Sequence, residues 1–157
     1  MNAAELEKYF DRLWPICRSI TGNGLRDSLR ILQEVMPLQL EEIPTGTKVF
    51  DWEIPREWNI RDAYIITPGG KKICEFKVSN LHVLNYSMPV NREVNFEELR
   101  DHLIYREDLP HAIPYATSYY KERWGFCISY NEFKSLPAEG VYKVMIDASL
   151  EHGHLTY

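Results

Sequence analysis

Up to Pro37 the apolar positions recur at helical intervals, and beyond it they do not. Leu6, Phe10, Leu13, Cys17 and Ile20 stand four, three, four and three residues apart, which lines them along one helix face. Pro15 removes a backbone donor from this run, so the pattern predicts a helix that kinks there, or restarts with Pro15 in a new first turn, rather than a loop. Thr21-Gly22-Asn23-Gly24 is rich in residues that tolerate positive φ and predicts a tight connection. A second amphipathic helix follows on Leu25, Leu29, Leu32 and Val35, ended by Pro37. Two short helices bury too little to stand alone, so their apolar faces need a partner surface.

From Leu38 the pattern reads as strands. Leu40 to Ile43 and Val49 to Ile54 flank Pro44-Thr45-Gly46-Thr47, which suits a reversal between two extended segments. Ala63 to Thr67 and Lys72 to Phe76 flank Pro68-Gly69-Gly70-Lys71 and predict a hairpin. Leu81 to Tyr86 predicts a further strand. Asn95 with Glu98 three positions on opens a short helix carried by Phe96, Leu99 and Leu103, which ends before Pro110. After the aromatic stretch Tyr115 to Trp124, Gly125 to Tyr130 and Val141 to Asp147 read as strands. Glu151 to His154 reads as a turn, and Leu155 to Tyr157 as the opening of a strand with no partner in view, the pattern expected of a truncated chain. The fold class expected is α+β: an N-terminal helical pair followed by a β-rich, mainly antiparallel region with one or two short helices.

Composition narrows the function classes. A chain of 157 residues with 45% apolar, 13% aromatic and 26% charged residues lies within the globular range. Its net charge of -5 supplies no basic stripe to neutralise a row of phosphates, which argues against nucleic acid and against an anionic membrane surface. Met1 to Asp11 is acidic and amphipathic rather than a signal sequence, and no stretch approaches the length of a membrane span, so a soluble cytoplasmic protein is expected. Cys17, Cys74 and Cys127 are too scattered for a disulfide framework or a zinc knuckle and are expected to be reduced and buried.

Few residues are grouped as chemistry requires. His152-Gly153-His154 would place two imidazoles on one face of an extended backbone, as a metal site could use, but no third ligand lies close and a solvated turn is the stronger reading. Cys127 with His82, His102 or His111 has the ingredients of a nucleophile and base without any local signature. Asp51, Glu53, Glu57 and Asp62 are spaced like charges on a strand and its turn, where a solvated face outweighs a paired acid and base. The most distinctive stretch is Tyr115, Tyr119, Tyr120, Arg123, Trp124 and Phe126, because aromatic rings with polar handles serve peptide and sugar sites as readily as they serve packing. Tyr119, Tyr120, Arg123 and Trp124 are the candidate substrate-binding residues; no catalytic residue and no metal ligand is assigned.

Five strings then carry a resemblance in order along the chain: Cys17 to Gly24 (CRSITGNG), Val49 to Trp52 (VFDW), Glu57 to Tyr64 (EWNIRDAY), Ser79 to Val83 (SNLHV) and Ala112 to Cys127 (AIPYATSYYKERWGFC). They closely resemble a bacterial family of aminopeptidase-like zinc exopeptidases that carries a domain of unknown function toward its N-terminal side. The resemblance implies a longer protein, with a zinc exopeptidase-like α/β domain interrupted by a β-rich insertion and followed by a winged-helix domain. On that plan residues 1–55 start the aminopeptidase-like domain, 56–143 form the insertion and 144–157 return toward the catalytic domain. The family's metal-binding stretch lies downstream of the position of Tyr157, so zinc is expected in the full-length protein and not in this chain. His152 and His154 stand where relatives tend to have small or acidic turn residues. Members often lie among surface-polysaccharide genes.

The function these readings favour is the N-terminal fragment of a zinc-dependent aminopeptidase-like protein, its insertion covering or shaping the active-site entrance. The alternative is a non-catalytic peptide- or glycan-binding module. The partners expected are the remainder of the aminopeptidase-like domain and a peptide or glycan-linked substrate, and exposed apolar faces would also allow a homo-oligomer.

Overall fold

The computed structural model describes residues 2–119 and 121–157, and the chain divides into two compact units, Met1–Asn59 with Ser149–Tyr157, and Ile60–Ala148. In the first unit, α1 (Ala3–Leu13) opens with a reciprocal cap: Asn2 Oδ1 accepts from Glu5 N at 3.0 Å and Glu5 Oε2 accepts from Asn2 N at 2.8 Å. The helix neither kinks nor restarts at Pro15. It ends at Leu13, and residues 15–20 are irregular, so Cys17 and Ile20 do not continue its face. Two contacts favour the loop: the Arg18 guanidinium donates to the Leu13 carbonyl at 2.6 Å, satisfying a helix-end acceptor, and the Cys17 carbonyl lies 2.0 Å from where a Cβ on Gly24 would stand.

Helix α2 (Asn23–Gln33) starts at Gly22, whose φ of 92° and close approach to the Trp58 carbonyl, 2.1 Å from a notional Cβ, admit no side chain. Strand β1 (Glu42–Pro44) pairs antiparallel with the last strand, β10 (His154–Thr156), in the register Glu42 with Thr156 and Pro44 with His154. The terminal segment therefore has a partner, contrary to the pattern reading. The Pro44 to Thr47 turn forms, with Thr47 N donating to Pro44 O at 3.2 Å, but the segments it joins do not pair. Val49 to Ile54 instead bends at Phe50, where φ is 56°, into the small hairpin of β2 (Lys48–Val49) and β3 (Trp52–Glu53).

A charge network joins these elements. Arg26 of α2 grips the Glu57 carboxylate with two parallel bonds of 2.7 and 2.6 Å and reaches Glu42 of β1 at 3.2 Å. Glu57 also accepts from Asn59 Nδ2 and from the backbone of His154, each at 3.1 Å, and a Cβ on Gly153 would stand 2.4 Å from its carboxylate. Both side chains of the pair are close to buried, 14% and 13% exposed. Glu57 is thus not on the solvated face expected of it. The core of this unit is small: α1 buries no residue, α2 buries only Ser28, and Thr21, Ile54, Trp58 and Thr156 supply most of the rest.

The second unit is better filled. Strand β4 (Glu57–Ile66) passes through the turn at Pro68 to Lys71, where Gly70 has a φ of 79°, into β5 (Lys72–Ile73), forming the expected hairpin with Ile65 opposite Ile73. Strands β6 (Val90–Val94) and β9 (Tyr142–Glu151) pair antiparallel, and the four strands lie in the order β5-β4-β9-β6. Tyr142, Val144, Ile146 and Ala148 alternate inward along β9 and are buried, each large apolar side chain contributing about 1.5–3 kcal/mol. Asn95 caps α3 (Phe96–Arg100) as predicted, accepting from Glu98 N.

Several pattern readings give way here. Leu103 lies in β7 (Leu103–Ile104), which pairs in parallel with β8 (Phe126–Cys127), because α3 closes at Arg100 and His102 turns back onto Leu99. Leu81 to Tyr86 holds a 3-10 turn at Asn80–His82 and then two isolated bridges, Val83 with Phe126 and Asn85 with Thr117, rather than a strand. The strand expected over Gly125 to Tyr130 gives way after Cys127 to α4 (Tyr130–Lys134), whose cap is Ser129 bonded to Glu132 N. Strand β6 and helix α4 had no signal in the periodicity. The overall class is nonetheless the α+β mixture of a helical pair and mainly antiparallel strands. Among the described residues no helix is long and apolar enough to cross a membrane.

Glu57 has its pKa held down to about 2, first by the Arg26 guanidinium and then by the bonds from His154 and Asn59. A carboxylate depressed in the folded state stabilises above its ordinary pKa near 4.3 and loses that contribution as pH falls toward 2, while Arg26 stays charged throughout. Lowering the pH from 6 to 3 is expected to remove on the order of 1–2 kcal/mol of stability, and Glu57→Gln to flatten the dependence, as read by urea unfolding at the two pH values.

Candidate functional site

The aromatic stretch folds as a loop laid against residues 83–88. Asn85 N donates to Ala116 O and Ser118 N to Asn85 O, both at 2.9 Å, and Met88 N donates to Arg123 O at 3.0 Å. Tyr86, buried and with a φ of 68° in the left-handed region that favours glycine, presents its ring to the edge of Tyr119 at 5.2 Å between centroids. Tyr119 Oη lies 3.3 Å from Tyr115 Oη, and the Tyr115 ring is 62% exposed. Arg123, also exposed, donates through Nε to Ser118 Oγ at 3.2 Å and through Nη2 to Thr117 O at 3.3 Å. Ser118 Oγ in turn donates to Lys121 O at 2.5 Å.

Of the four side chains singled out from the sequence, the structure brings Tyr119 and Arg123 onto one loop. Tyr120 lies outside the described residues. Trp124 belongs to a different cluster: half-buried, it stacks on His102 at 3.5 Å between centroids and lies under Arg92 at 5.5 Å. Phe126 is fully buried in the core. Tyr86, which completes the tyrosine group, was missed because it sits about thirty residues upstream in what reads as a strand.

The cysteine and histidine combinations do not assemble into a nucleophile and base. His82 bonds through Nδ1 to the Cys127 carbonyl at 2.9 Å rather than to its thiol, and His102 bonds through Nδ1 to the Trp124 carbonyl at 2.9 Å. A carbonyl only accepts, so each Nδ1 carries a proton. His111 meets Asn131 at 3.1 Å. Asp62, the other acid of the strand, is neutralised by Lys77 at 3.3 Å beside an open concavity of about 690 Å³, where Arg61 and Asp147 are likewise paired. His152 and His154 are both exposed about Gly153, and among the described residues no three His, Cys, Asp or Glu side chains gather as a metal ion would need.

Residues 57–149 match the family described as a domain of unknown function, DUF2172. The chain is 48% identical, over 99% of its length, to a Clostridium acetobutylicum protein named for polysaccharide biosynthesis and an aminopeptidase-like domain. It superimposes with a TM-score of 0.92, at 47% identity over 98% of its length, on the crystal structure of a peptidase, so named, from Clostridium acetobutylicum. Both names are provisional assignments. The chain spans 36% of the length of each of these proteins.

Burial raises the thiols of Cys17 and Cys127 to about 11, and that of Cys74 higher still, so thiolate is scarce at neutral pH. Ellman's reagent at pH 8 is expected to react slowly with the folded chain and promptly with all three thiols in 6 M guanidinium. Rapid titration of Cys127 in the folded state would reopen the nucleophile reading.

Proposed function

The chain belongs to the DUF2172 family, and on that premise we propose that it is the front part of an aminopeptidase-like protein. The observation that carries this reading is the near-full-length likeness to the clostridial protein whose name includes such a domain. In this reading residues 1–55 begin the aminopeptidase-like domain, 56–143 are an insertion that shapes the active-site entrance, and 144–157 return toward the catalytic domain. Tyr119, Arg123 and Trp124 are the side chains proposed to hold substrate. Zinc, where the complete protein uses it, is held by residues outside this chain.

The thin core of the first unit supports the first part of the reading. Leu6 and Phe10 of α1 and Trp14 at its C-terminal cap recur every four residues and are 47%, 72% and 80% exposed. An amphipathic helix with no fully buried residue along its apolar stripe is a face awaiting cover, which the remainder of an aminopeptidase-like domain would supply. The exposed tyrosines favour a second reading, a peptide- or glycan-binding module without catalysis.

Metal content and cleavage of amino acid nitroanilides would be measured on this chain and on the complete clostridial relative. Zinc and activity in the relative and neither in the chain are expected. Stoichiometric zinc or cleavage in the chain alone would overturn the assignment, and an inert, metal-free relative would favour the binding module. The uncovered stripe also predicts self-association of the isolated chain at high concentration; sedimentation velocity should show this reduced by replacing Phe10 and Trp14 together with Ser.

A further inference from the structure

Arg123, like Arg18, ends on neutral oxygens. Arg12, Arg26, Arg61, Arg92 and Arg106 each end on a carboxylate, whereas Arg123 is held by a hydroxyl and a carbonyl, both neutral. Two of its five N–H groups fix the guanidinium against the loop, and among the described residues no carboxylate pairs with it. Lys121, two residues away and exposed, has no ion pair among the described residues. Thr117 and Ser118, which hold this guanidinium, lie in the chain between two tyrosines, Tyr115 and Tyr119, whose hydroxyls are 3.3 Å apart, and Tyr115 is largely exposed.

From this juxtaposition we infer that Tyr115, Tyr119 and Arg123 bind an acidic sugar unit, the guanidinium taking its carboxylate and the phenols its hydroxyls and one ring face. The inference rests on the reading of Tyr119 and Arg123 as substrate-holding residues and adds the substrate class. Each part of the ligand has a counterpart. A planar guanidinium with free N–H groups matches a carboxylate in two parallel bonds. Phenol hydroxyls both donate and accept, as the vicinal hydroxyls of a pyranose require, and an exposed ring offers a flat apolar surface to its C–H face. A peptide would call for an apolar side-chain pocket or an open strand edge, and the tyrosine group as built offers neither.

The loop is also set in advance. Tyr86 keeps a left-handed backbone while buried, a conformation that persists only where its surroundings enforce it. The bonds of Asn85 and Met88 to the loop, and that of Ser118 Oγ to Lys121 O, hold the backbone that carries Tyr119 and Arg123. Little ordering is then left to accompany binding.

The test is isothermal titration of the folded 157-residue chain with three probes: a glucuronic acid–glucose disaccharide, its neutral counterpart cellobiose, and trialanine. The acidic disaccharide is expected to bind roughly tenfold or more tightly than cellobiose, the difference a charge-assisted contact supplies. Arg123→Gln should abolish that preference, Arg123→Lys should keep part of it, and Tyr115→Ala should weaken both sugars, with thermal melts confirming that each variant is folded. Equal binding of both sugars, lost in Tyr115→Ala, overturns the acidic class alone and leaves the loop as a substrate site. Trialanine binding above the acidic sugar and dependent on Arg123 makes the ligand a peptide carboxylate and overturns the sugar. Binding indifferent to all three variants, or no binding of any probe, overturns the role of the loop itself.

Discussion

The first unit depends on one charge pair between residues far apart in sequence. Arg26 and Glu57 meet in a bidentate contact that draws α2, β1 and the start of β4 to the backbone of His154. A pair this far from water contributes through geometry, because removing either partner leaves the other charge stranded. The glycines around it follow from the same requirement: Gly153 is small because the Glu57 carboxylate occupies the space a side chain would take, and Gly22 is small because the Trp58 carbonyl does. A unit whose helices bury almost nothing apolar relies the more on polar connections of this kind.

The second unit is organised on the opposite principle. Alternating side chains of β9 and β4, with Leu84, Leu99, Phe126 and Ile128, form a continuous apolar core, and the tyrosine loop is fastened to it through Asn85, Tyr86 and Met88. A loop anchored in this way can present Tyr115 and Arg123 to solvent without losing its shape. Trp124, adjacent in sequence, turns to His102 and Arg92, so neighbours along the chain serve different surroundings.

How much was legible before the structure follows the range of each interaction. The Pro68 to Lys71 hairpin, the Asn95 cap and the course of α2 were readable because they depend on residues within four or five positions of one another. So was the family, since the five strings lie in order along the chain. In the loop proposed as a site, the unusual density of aromatic and cationic residues is what made Arg123 and Tyr119 candidates. Tyr86 was not among them, for its part in the proposed site depends on a bridge between Asn85 and Thr117.

By itself, then, the sequence determined the class of fold, the local turns and caps, the family, and the loop on which a ligand site is proposed, all of them consequences of short-range propensity or of strings read in order. Tertiary structure alone decided that the terminal strand pairs with β1 and that Glu57 is a largely shielded partner of Arg26 rather than a surface charge. Each of these turns on which distant group arrives to satisfy a backbone or side-chain charge. Hydrogen bonds and ion pairs carry no signature of their partner in the local pattern, and only the folded chain selects it.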